Sequence, residues 1–146
     1  MISKTLALRV VPGQYGRSVL SARQIADLHI EKAKETGKVW YSTNLIVNAK
    51  NAVGVDSVLL FGDGVRCLAD VLQIRLGRFA NDEFVPGDSQ AYSPEPFADA
   101  PMRTWIMLSN IREATDEDLA ALTAPDGTSA LEKTKNPGRV NRFYCS

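Results

Sequence analysis

Apolar residues alternate with polar or small residues in six stretches of the chain, and this period of two is typical of β-strands. In the first stretch Leu6, Leu8 and Val10 share one face, and a Pro-Gly pair follows. Proline and glycine interrupt regular structure, so we expect turns or loops between the stretches. The predicted strands cover residues 5–11, 38–47, 57–61, 65–76, 102–109 and 139–145.

The third and fourth stretches are separated only by Gly62-Asp63-Gly64, a turn sequence that favours a β-hairpin. The second arm of this hairpin is long, and its apolar residues change from one face to the other near Asp70–Leu72. One extra residue in a strand moves every later side chain to the opposite face. We therefore predict a β-bulge there, which would bend the strand as barrels require.

A period of 3.6 residues predicts the first helix, and the sequence marks both of its ends. Ser21 is a favourable N-cap, Gln24 three residues later completes a capping box, and Gly37 is a typical C-terminal stop. His29, the single histidine, lies on or beside the apolar stripe of this helix, which favours a structural role over a catalytic one. A second, short helix is predicted after the N-cap Thr115.

The predicted elements follow the order β-α-β-β-β, a long loop, then β-α-α-β, so strands dominate and helices are peripheral. Consecutive strands without intervening helices argue against a doubly wound parallel sheet. The predicted fold class is therefore α+β, a small bent mixed sheet that closes into a β-barrel with a few peripheral helices. A length of 146 residues favours a single domain over residues 1–146.

The long loop, residues 77–101, is the irregular part of this domain. It contains four of the seven prolines, and its apolar residues follow no regular period. So long a segment in a compact domain is either functional or a mobile insertion. It carries much of the acidic charge of the chain and the aromatic residues Phe84, Tyr92 and Phe97.

The formal net charge is zero, with 17 Lys and Arg against 17 Asp and Glu, which excludes binding driven by total charge alone. The charges are nevertheless segregated along the chain. Residues 1–78 hold 11 basic and 6 acidic residues, residues 79–132 hold 2 and 11, and residues 133–146 hold 4 and none. Two interpretations stay open: chance segregation on a solvated surface, or two basic ends that meet in the fold and form one positive face.

Several classes of protein lack support in this sequence. No apolar stretch is long enough to span a bilayer, and the first residues do not resemble a secretory signal, so we expect a cytoplasmic protein without a membrane partner. Cys67 and Cys145 have neither ligand nor redox spacing, and no metal site or cofactor is predicted. Cys67 is expected to be a small core residue.

Three segments carry a resemblance to a known superfamily: residues 56–61 (DSVLLF), 66–71 (RCLADV) and 105–111 (WIMLSNI). In order and pattern, over residues 38–122, they are similar to the PUA-like superfamily of small barrels, which includes the EVE, ASCH and YTH domains. The resemblance implies nucleic-acid binding, in several branches with one modified or flipped base held in an aromatic pocket on the barrel.

The first functional hypothesis is therefore a nucleic-acid-binding module for DNA or RNA. A strand face with one large aromatic ring beside small polar groups can stack a planar ligand and hydrogen-bond its edge. The predicted positions around an unpaired or modified base are Trp40, Ser42, Asn44 and Trp105. The predicted phosphate-binding positions are Arg17, Lys38, Arg139 and Arg142. For Trp40, a place in the core with a polar rim stays open as the alternative.

A second hypothesis is a protein-interaction or regulatory domain, for example a phage- or defence-associated inhibitor. Residues 79–101 would form its acidic contact surface, with Phe84, Tyr92 and Phe97 as aromatic anchors. Local packing of these aromatic side chains within the loop is the alternative. An enzyme ranks third, because the sequence shows no nucleophile–base pair, although distant segments could bring one together.

Overall fold

The computed structural model describes residues 4–79, 82–135 and 140–146. Within these ranges there are eight strands and six helices, in an order close to the predicted one. The elements are β1 (Lys4–Arg9), β2 (Gly13–Tyr15), β3 (Ser18–Leu20), α1 (Ala22–Thr36), β4 (Val39–Thr43), α2 (Ala49–Ala52), β5 (Val55–Gly62), β6 (Val65–Leu76), α3 (Ser89–Tyr92), α4 (Glu95–Ala98), β7 (Thr104–Glu113), α5 (Asp116–Ala120), α6 (Ala130–Lys135) and β8 (Arg142–Cys145).

Six of the strands form one mixed sheet in the order β4-β7-β6-β5-β1-β8, and β2 and β3 form a separate hairpin. β1 and β5 are parallel, whereas the other neighbours in the sheet are antiparallel. The mixed α+β class is therefore confirmed. Among the described residues no strand pairing joins β4 to β8, so the pairings establish a six-stranded sheet and not a closed barrel.

The predicted hairpin and its bulge are both present. β5 and β6 pair from Ser57 and Asp70 to the turn at Gly62 and Val65. The pairing of β6 with β7 shifts register between Leu68 and Asp70, and again between Val71 and Gln73. Such shifts increase the local bend and twist of a strand. The second half of β6 consequently extends beyond β5 and pairs with β7 alone.

Helix α1 begins and ends where the sequence predicts. The Ser21 hydroxyl accepts a hydrogen bond from the backbone N–H of Gln24, and the Gln24 side chain accepts one from the N–H of Ser21. Gly37 ends the helix with φ at 84°, a left-handed conformation that glycine adopts without a steric penalty. The helix lays its apolar stripe on one face of the sheet, where Ile25 and Ala26 join the main core.

Both faces of the sheet are covered by apolar side chains. The main core lies under α1 and includes inward residues of β1, β4, β5, β6 and β7. A second cluster lies under α5 and α6, around Leu59, Phe61 and Leu119. A third, here called the tryptophan cluster, consists of Trp40, Trp105 and Met107, with Phe84, Tyr92 and Met102 packed against it.

The two basic ends of the chain meet, because β1 and β8 are antiparallel neighbours in the sheet. The register pairs Leu8 with Arg142, and the backbone N–H of Arg9 donates to the carbonyl of Asn141 at 2.8 Å. The described residues thus place the two ends of the chain side by side, while a single positive face formed by them stays a prediction. No helix in the described ranges is both long and apolar enough to cross a membrane.

Candidate functional site

The two tryptophans predicted to stack a base lie in the protein interior. Trp40 is 1% exposed and Trp105 is fully buried, and their rings meet edge to face with centroids 6.2 Å apart. The Nε1–H of Trp40 donates to Asp88 at 2.8 Å, and that of Trp105 donates to the carbonyl of Phe84 at 2.8 Å. Neither ring is therefore accessible to a ligand here, and the structure favours the core alternative for Trp40.

The three predicted anchors of the 77–101 loop, Phe84, Tyr92 and Phe97, pack inward, whereas Phe79 of the same loop is 66% exposed. Phe97 is buried and contacts His29 and Tyr15, with ring centroids 5.2 and 4.7 Å apart. Phe84 and Tyr92 are partly buried against the tryptophan cluster. The alternative of local packing describes these three side chains, so they do not form exposed anchors for a partner.

Two of the predicted ligand-binding residues, Ser42 and Asn44, instead line a cavity of about 310 Å³ at the end of β4. This cavity, here called the edge pocket, lies where the chain leaves β1 and approaches the end of β4. Its lining includes Arg9, Tyr15, Tyr41, Ser42, Thr43 and Asn44. It thus combines one cation, two aromatic rings and several short polar side chains, the combination that orients a small planar ligand.

Ser42 has a buried hydroxyl without a partner. The residue is 7% exposed, and its Oγ has no hydrogen-bond partner within the described residues. A buried polar group left unsatisfied costs about 1–3 kcal/mol, so such groups are rare and call for an explanation. Because this Oγ is itself buried, a molecule bound in the edge pocket would supply the missing partner once a neighbouring side chain moves.

Asn44 is exposed, and one of the two polar groups of its amide forms a hydrogen bond within the protein. Its Oδ1 accepts a hydrogen bond from the backbone N–H of Arg103 at 3.2 Å, which fixes the orientation of the amide. The Nδ2 group has no partner in the part of the chain that the structure describes. Because Nδ2 carries two donors, it is available to the edge of a ligand in the edge pocket.

Three consecutive carbonyls after β4 each accept a hydrogen bond from a side chain of β7, β8 or the residue before β7. Arg103 Nη1 donates to Asn44 at 3.3 Å, Thr104 Oγ1 donates to Leu45 at 2.9 Å, and Arg142 Nη1 donates to Ile46. These bonds hold residues 44–46, here called the clamped loop, and place two guanidinium groups next to the edge pocket. They also connect the β8 end of the sheet to the segment that follows β4.

The predicted phosphate-binding residues do not all gather at this place. Arg142 lies at the clamped loop, whereas Lys38 precedes β4 at its opposite end, about 20 Å away along the strand, with its Nζ 4.6 Å from the Tyr92 ring centroid. Arg17 lines another cavity, together with the carboxylates of Glu95 and Asp99. The predicted Arg139 lies outside the described residues.

Sequence reasoning missed the contribution of Arg103 and of Tyr15. Arg103 lies in the acidic part of the chain, so the charge segregation gave no reason to choose it. Tyr15 comes from the short hairpin of β2 and β3, and its hydroxyl donates to the carbonyl of Val11 at 2.7 Å. The only available signal was the aromatic character of Tyr15, because its neighbours come from distant segments.

Cys67 and the acidic residues Asp63 and Asp70 of the β5–β6 hairpin are the groups nearest to a catalytic candidate, and their surroundings are structural. Burial raises the pKa of Cys67 to about 11, so its thiol is protonated and a poor nucleophile at neutral pH. Asp70 forms an ion pair with Arg112 at 3.5 Å, and Asp63 is exposed in the hairpin turn. No group of three or more potential metal ligands occurs within residues 4–79, 82–135 and 140–146.

The fold defines a mixed α+β protein with a six-stranded sheet and a small polar cavity at the end of β4. No family model matches this chain, and neither a curated protein nor a solved structure matches it.

Proposed function

We propose that this protein binds single-stranded nucleic acid and holds one unpaired base in the edge pocket. The observation that carries this proposal is the buried, unpartnered hydroxyl of Ser42 in a cavity that also contains two tyrosines. A nucleobase offers both a flat face and a hydrogen-bonding edge, and single-stranded sites are recognised through these two features. Tyr15, which is only partly buried, replaces the predicted tryptophans as the aromatic wall, because the Tyr41 ring is 5% exposed and packs on His29.

The charges around the edge pocket support an anionic strand. Arg9 lines the pocket, and Arg103 and Arg142 lie at the clamped loop beside it. No carboxylate is among the residues that line the pocket in the described ranges. Positive charge beside an aromatic cavity attracts phosphates and positions the strand, while groups in the cavity contact the base.

A contact between β8 and the segment after β4 supports a closed fold. The bond from Arg142 on β8 to the carbonyl of Ile46 connects the two ends of the sheet, as closure into a small barrel would require. We therefore propose a PUA-like barrel in which the edge pocket lies at the remaining gap. A reducing cytoplasmic setting is part of the proposal, because Cys67 and Cys145 are both free and buried.

The decisive experiment compares Ser42→Ala with the unmodified protein in fluorescence anisotropy titrations with labelled single-stranded DNA and RNA at low salt. Loss of one hydrogen bond to the ligand should weaken binding about 2- to 10-fold. Because the hydroxyl has no partner in the fold, the same change should leave the free energy of unfolding unchanged or raise it.

Ser57→Ala is the matched control, since the Ser57 hydroxyl shares a 2.6 Å hydrogen bond with Thr5 on the paired strands β1 and β5. This change should lower stability and leave binding intact. Equal binding by the unmodified protein and Ser42→Ala would remove the base site from the proposal. Absence of binding to every strand at low salt would refute the proposed function.

A further inference from the structure

A second cavity, of about 270 Å³, lies on the other side of the clamped loop. It is bounded by the residues 46–49, by the end of β6 at Leu76, and by Arg78, Arg103 and Thr104. We call it the arginine pocket. Met102 lines the edge pocket and the next residue, Arg103, lines the arginine pocket, so the two cavities are neighbours.

Three arginines elsewhere in the molecule have a carboxylate partner, whereas Arg17 and Arg75, like the arginines here, form no ion pair in the described ranges. Arg23, Arg66 and Arg112 each form an ion pair with a carboxylate, at 2.6, 2.5 and 3.5 Å. Arg78 and Arg103 form no ion pair within 4 Å in the described ranges, and no carboxylate lines the arginine pocket there. Neither guanidinium group therefore has a direct carboxylate partner in the described ranges.

Arg142 adds a third such charge beside the pocket. It donates to the carbonyl of Ile46, which lines the pocket, and it also forms no ion pair among the described residues. A bond to a neutral carbonyl leaves the charge of a guanidinium group in place. Three like charges around one loop repel one another, and an anion bound between them relieves this repulsion.

Arg103 is also held in a defined orientation. Its Nη1 donates to Asn44, and the backbone N–H of Gly77 donates to the Arg103 carbonyl at 3.1 Å. The Nε–H of Arg103 is buried and has no partner in the described structure. A guanidinium group held in this way is suited to a phosphate oxygen, because its donors lie in a rigid plane. The buried Nε–H becomes available to such an oxygen once a neighbouring side chain moves.

The close packing behind this pocket depends on Gly77. A Cβ at this position would lie 2.2 Å from the backbone oxygen of Asp82, so no larger residue fits without movement of the backbone. The Asp82 carboxylate accepts a hydrogen bond from the backbone N–H of Phe79 at 3.4 Å. Arg78 and Arg103 line the same cavity.

We infer that the arginine pocket binds a phosphate group, and that this group belongs to the strand whose base enters the edge pocket. The assignment of this group to the strand rests on the proposed function, whereas the phosphate site itself does not. The shared chemistry is a tetrahedral phosphate bound by Arg78 and Arg103. Its source is either a backbone phosphodiester or a terminal phosphate of the strand.

The test is a titration of the ¹⁵N-labelled full chain with inorganic phosphate at constant ionic strength, followed through the arginine Nε–H resonances. The Arg103 resonance should shift saturably. Arg78→Gln should weaken phosphate binding about tenfold or more, the usual effect of losing a charge-assisted hydrogen bond. Arg112→Gln is the matched control, because Arg112 is paired with Asp70, and it should change binding less than about twofold.

Arg78 is exposed and forms no side-chain hydrogen bond or ion pair within the described residues, so Arg78→Gln should remain folded. Arg103→Lys, checked by circular dichroism, provides a second variant that keeps the charge and loses the planar group. A shift that is linear in phosphate, or equal weakening by Arg78→Gln and Arg112→Gln, overturns the phosphate site.

Oligonucleotides separate the source of the phosphate and the two proposals. A strand with a 5′-phosphate that binds more tightly than its 5′-hydroxyl form assigns a terminal phosphate. Equal binding of the two forms, with weaker binding of a methylphosphonate strand, assigns the backbone. Saturable phosphate binding without strand binding supports the pocket and refutes the proposed function. Strand binding that Arg78→Gln leaves unchanged supports the function and overturns the assignment of the bound phosphate to the strand.

Discussion

At the scale of single residues, His29 shows how strongly the surroundings determine chemistry. Its ring is 1% exposed, between Tyr41 and Phe97, with centroids 5.1 and 5.2 Å away. Nδ1–H donates to the carbonyl of Ile25 at 2.7 Å, and Nε2 has no partner in the described structure. Burial lowers the pKa of His29 to about 4, with the backbone hydrogen bond opposing this in part, so the ring is neutral at pH 7.

This pKa predicts a loss of stability on acidification. The unfolded chain binds a proton near pH 6.5 and the folded chain only near pH 4, so the unfolded state binds more protons between these values. The contribution of His29 is complete above about pH 6.5 and is lost as the pH falls towards 4. The total loss is on the order of 3 kcal/mol.

Urea denaturation from pH 4 to pH 7 measures this effect in the unmodified protein and in His29→Leu, which cannot titrate. We expect the unmodified protein to lose stability relative to His29→Leu as the pH falls from 7 to 4. Parallel pH profiles for the two proteins would contradict a neutral buried imidazole, because carboxylates titrate equally in both.

The sequence predicted which side chains share a strand face better than it predicted the burial of that face. Cys67 was expected in the core and is fully buried. Ser42 and Asn44 were chosen for their polarity beside an aromatic ring, and both line the edge pocket. Trp40 was chosen for the same reason, yet its ring lies in the interior. Alternation shows that two side chains share a strand face, but it does not show what covers that face.

At the scale of elements, the long loop behaves as part of the core. Ser89 Oγ donates to the carbonyl of Ala98 at 2.8 Å and shares a 2.9 Å bond with Ser93, which ties α3 to α4. The isolated bridge between Phe84 and Met102 anchors the loop to the start of β7. The loop thus forms a lid over the tryptophan cluster, although its sequence lacks a regular period.

The bond between Asp88 and the Trp40 indole predicts a measurable role for this loop. Asp88→Ala removes the acceptor of Trp40 Nε1–H and should lower the free energy of unfolding by about 1–3 kcal/mol. Asp88→Asn keeps an acceptor and should cost less. Chemical denaturation followed by tryptophan fluorescence measures both changes.

Asp99→Ala provides the control within the same loop, because Asp99 is exposed and bonds only the side chain of Gln90 among the described contacts. It should change stability by less than about 0.5 kcal/mol. If Asp88→Ala is as stable as Asp99→Ala, the loop does not contribute to the core through Asp88. Deleting residues 82–98 should expose Trp40 and Trp105. Loss of protein binding after such a deletion would therefore report a disturbed core and would not identify the loop as a contact surface.

The helix starts and the tight turn were the most predictable ends in the fold. The capping box at Ser21, the N-cap at Thr115 and the Gly62-Asp63-Gly64 turn are all present. Strand ends were predicted less well, since the predicted strands 38–47 and 102–109 are observed as Val39–Thr43 and Thr104–Glu113. Caps and tight turns depend on residues within a few positions of one another, so a local sequence contains their cause. The three short helices α2, α3 and α4 were not predicted, because four-residue helices depend on packing more than on propensity. The short hairpin of β2 and β3 was not predicted either.

At the scale of the whole molecule, the pairing of β1 with β8 brings the two ends of the chain together. β8 covers the outer edge of β1, and Phe143 packs on Phe61 with ring centroids 5.6 Å apart. Cys145 is buried in the same cluster as Phe61. Removal of β8 would expose an edge whose residues 5–8 are all buried in the intact protein.

A chain that ends at residue 140 should therefore be less stable by at least about 3 kcal/mol, from lost aromatic packing and an uncovered edge. It should also aggregate more readily, because an exposed apolar strand pairs with other chains. Thermal denaturation and light scattering measure both effects. Replacement of the exposed Arg142 by alanine tests the clamp alone and should cost less than the truncation. Equal stability of the truncated and intact chains would show that β8 is dispensable.

The sequence by itself determined the α+β class, the limits of α1, the hairpin with its bulge, and the segregation of charge. All of these depend on spacing or composition over short stretches of chain. The tertiary structure decided which aromatic rings are buried, which arginines lack acidic partners, and that Arg78, Arg103 and Arg142 surround one loop. These properties depend on contacts between residues far apart in the chain, and neither periodicity nor net charge contains that information.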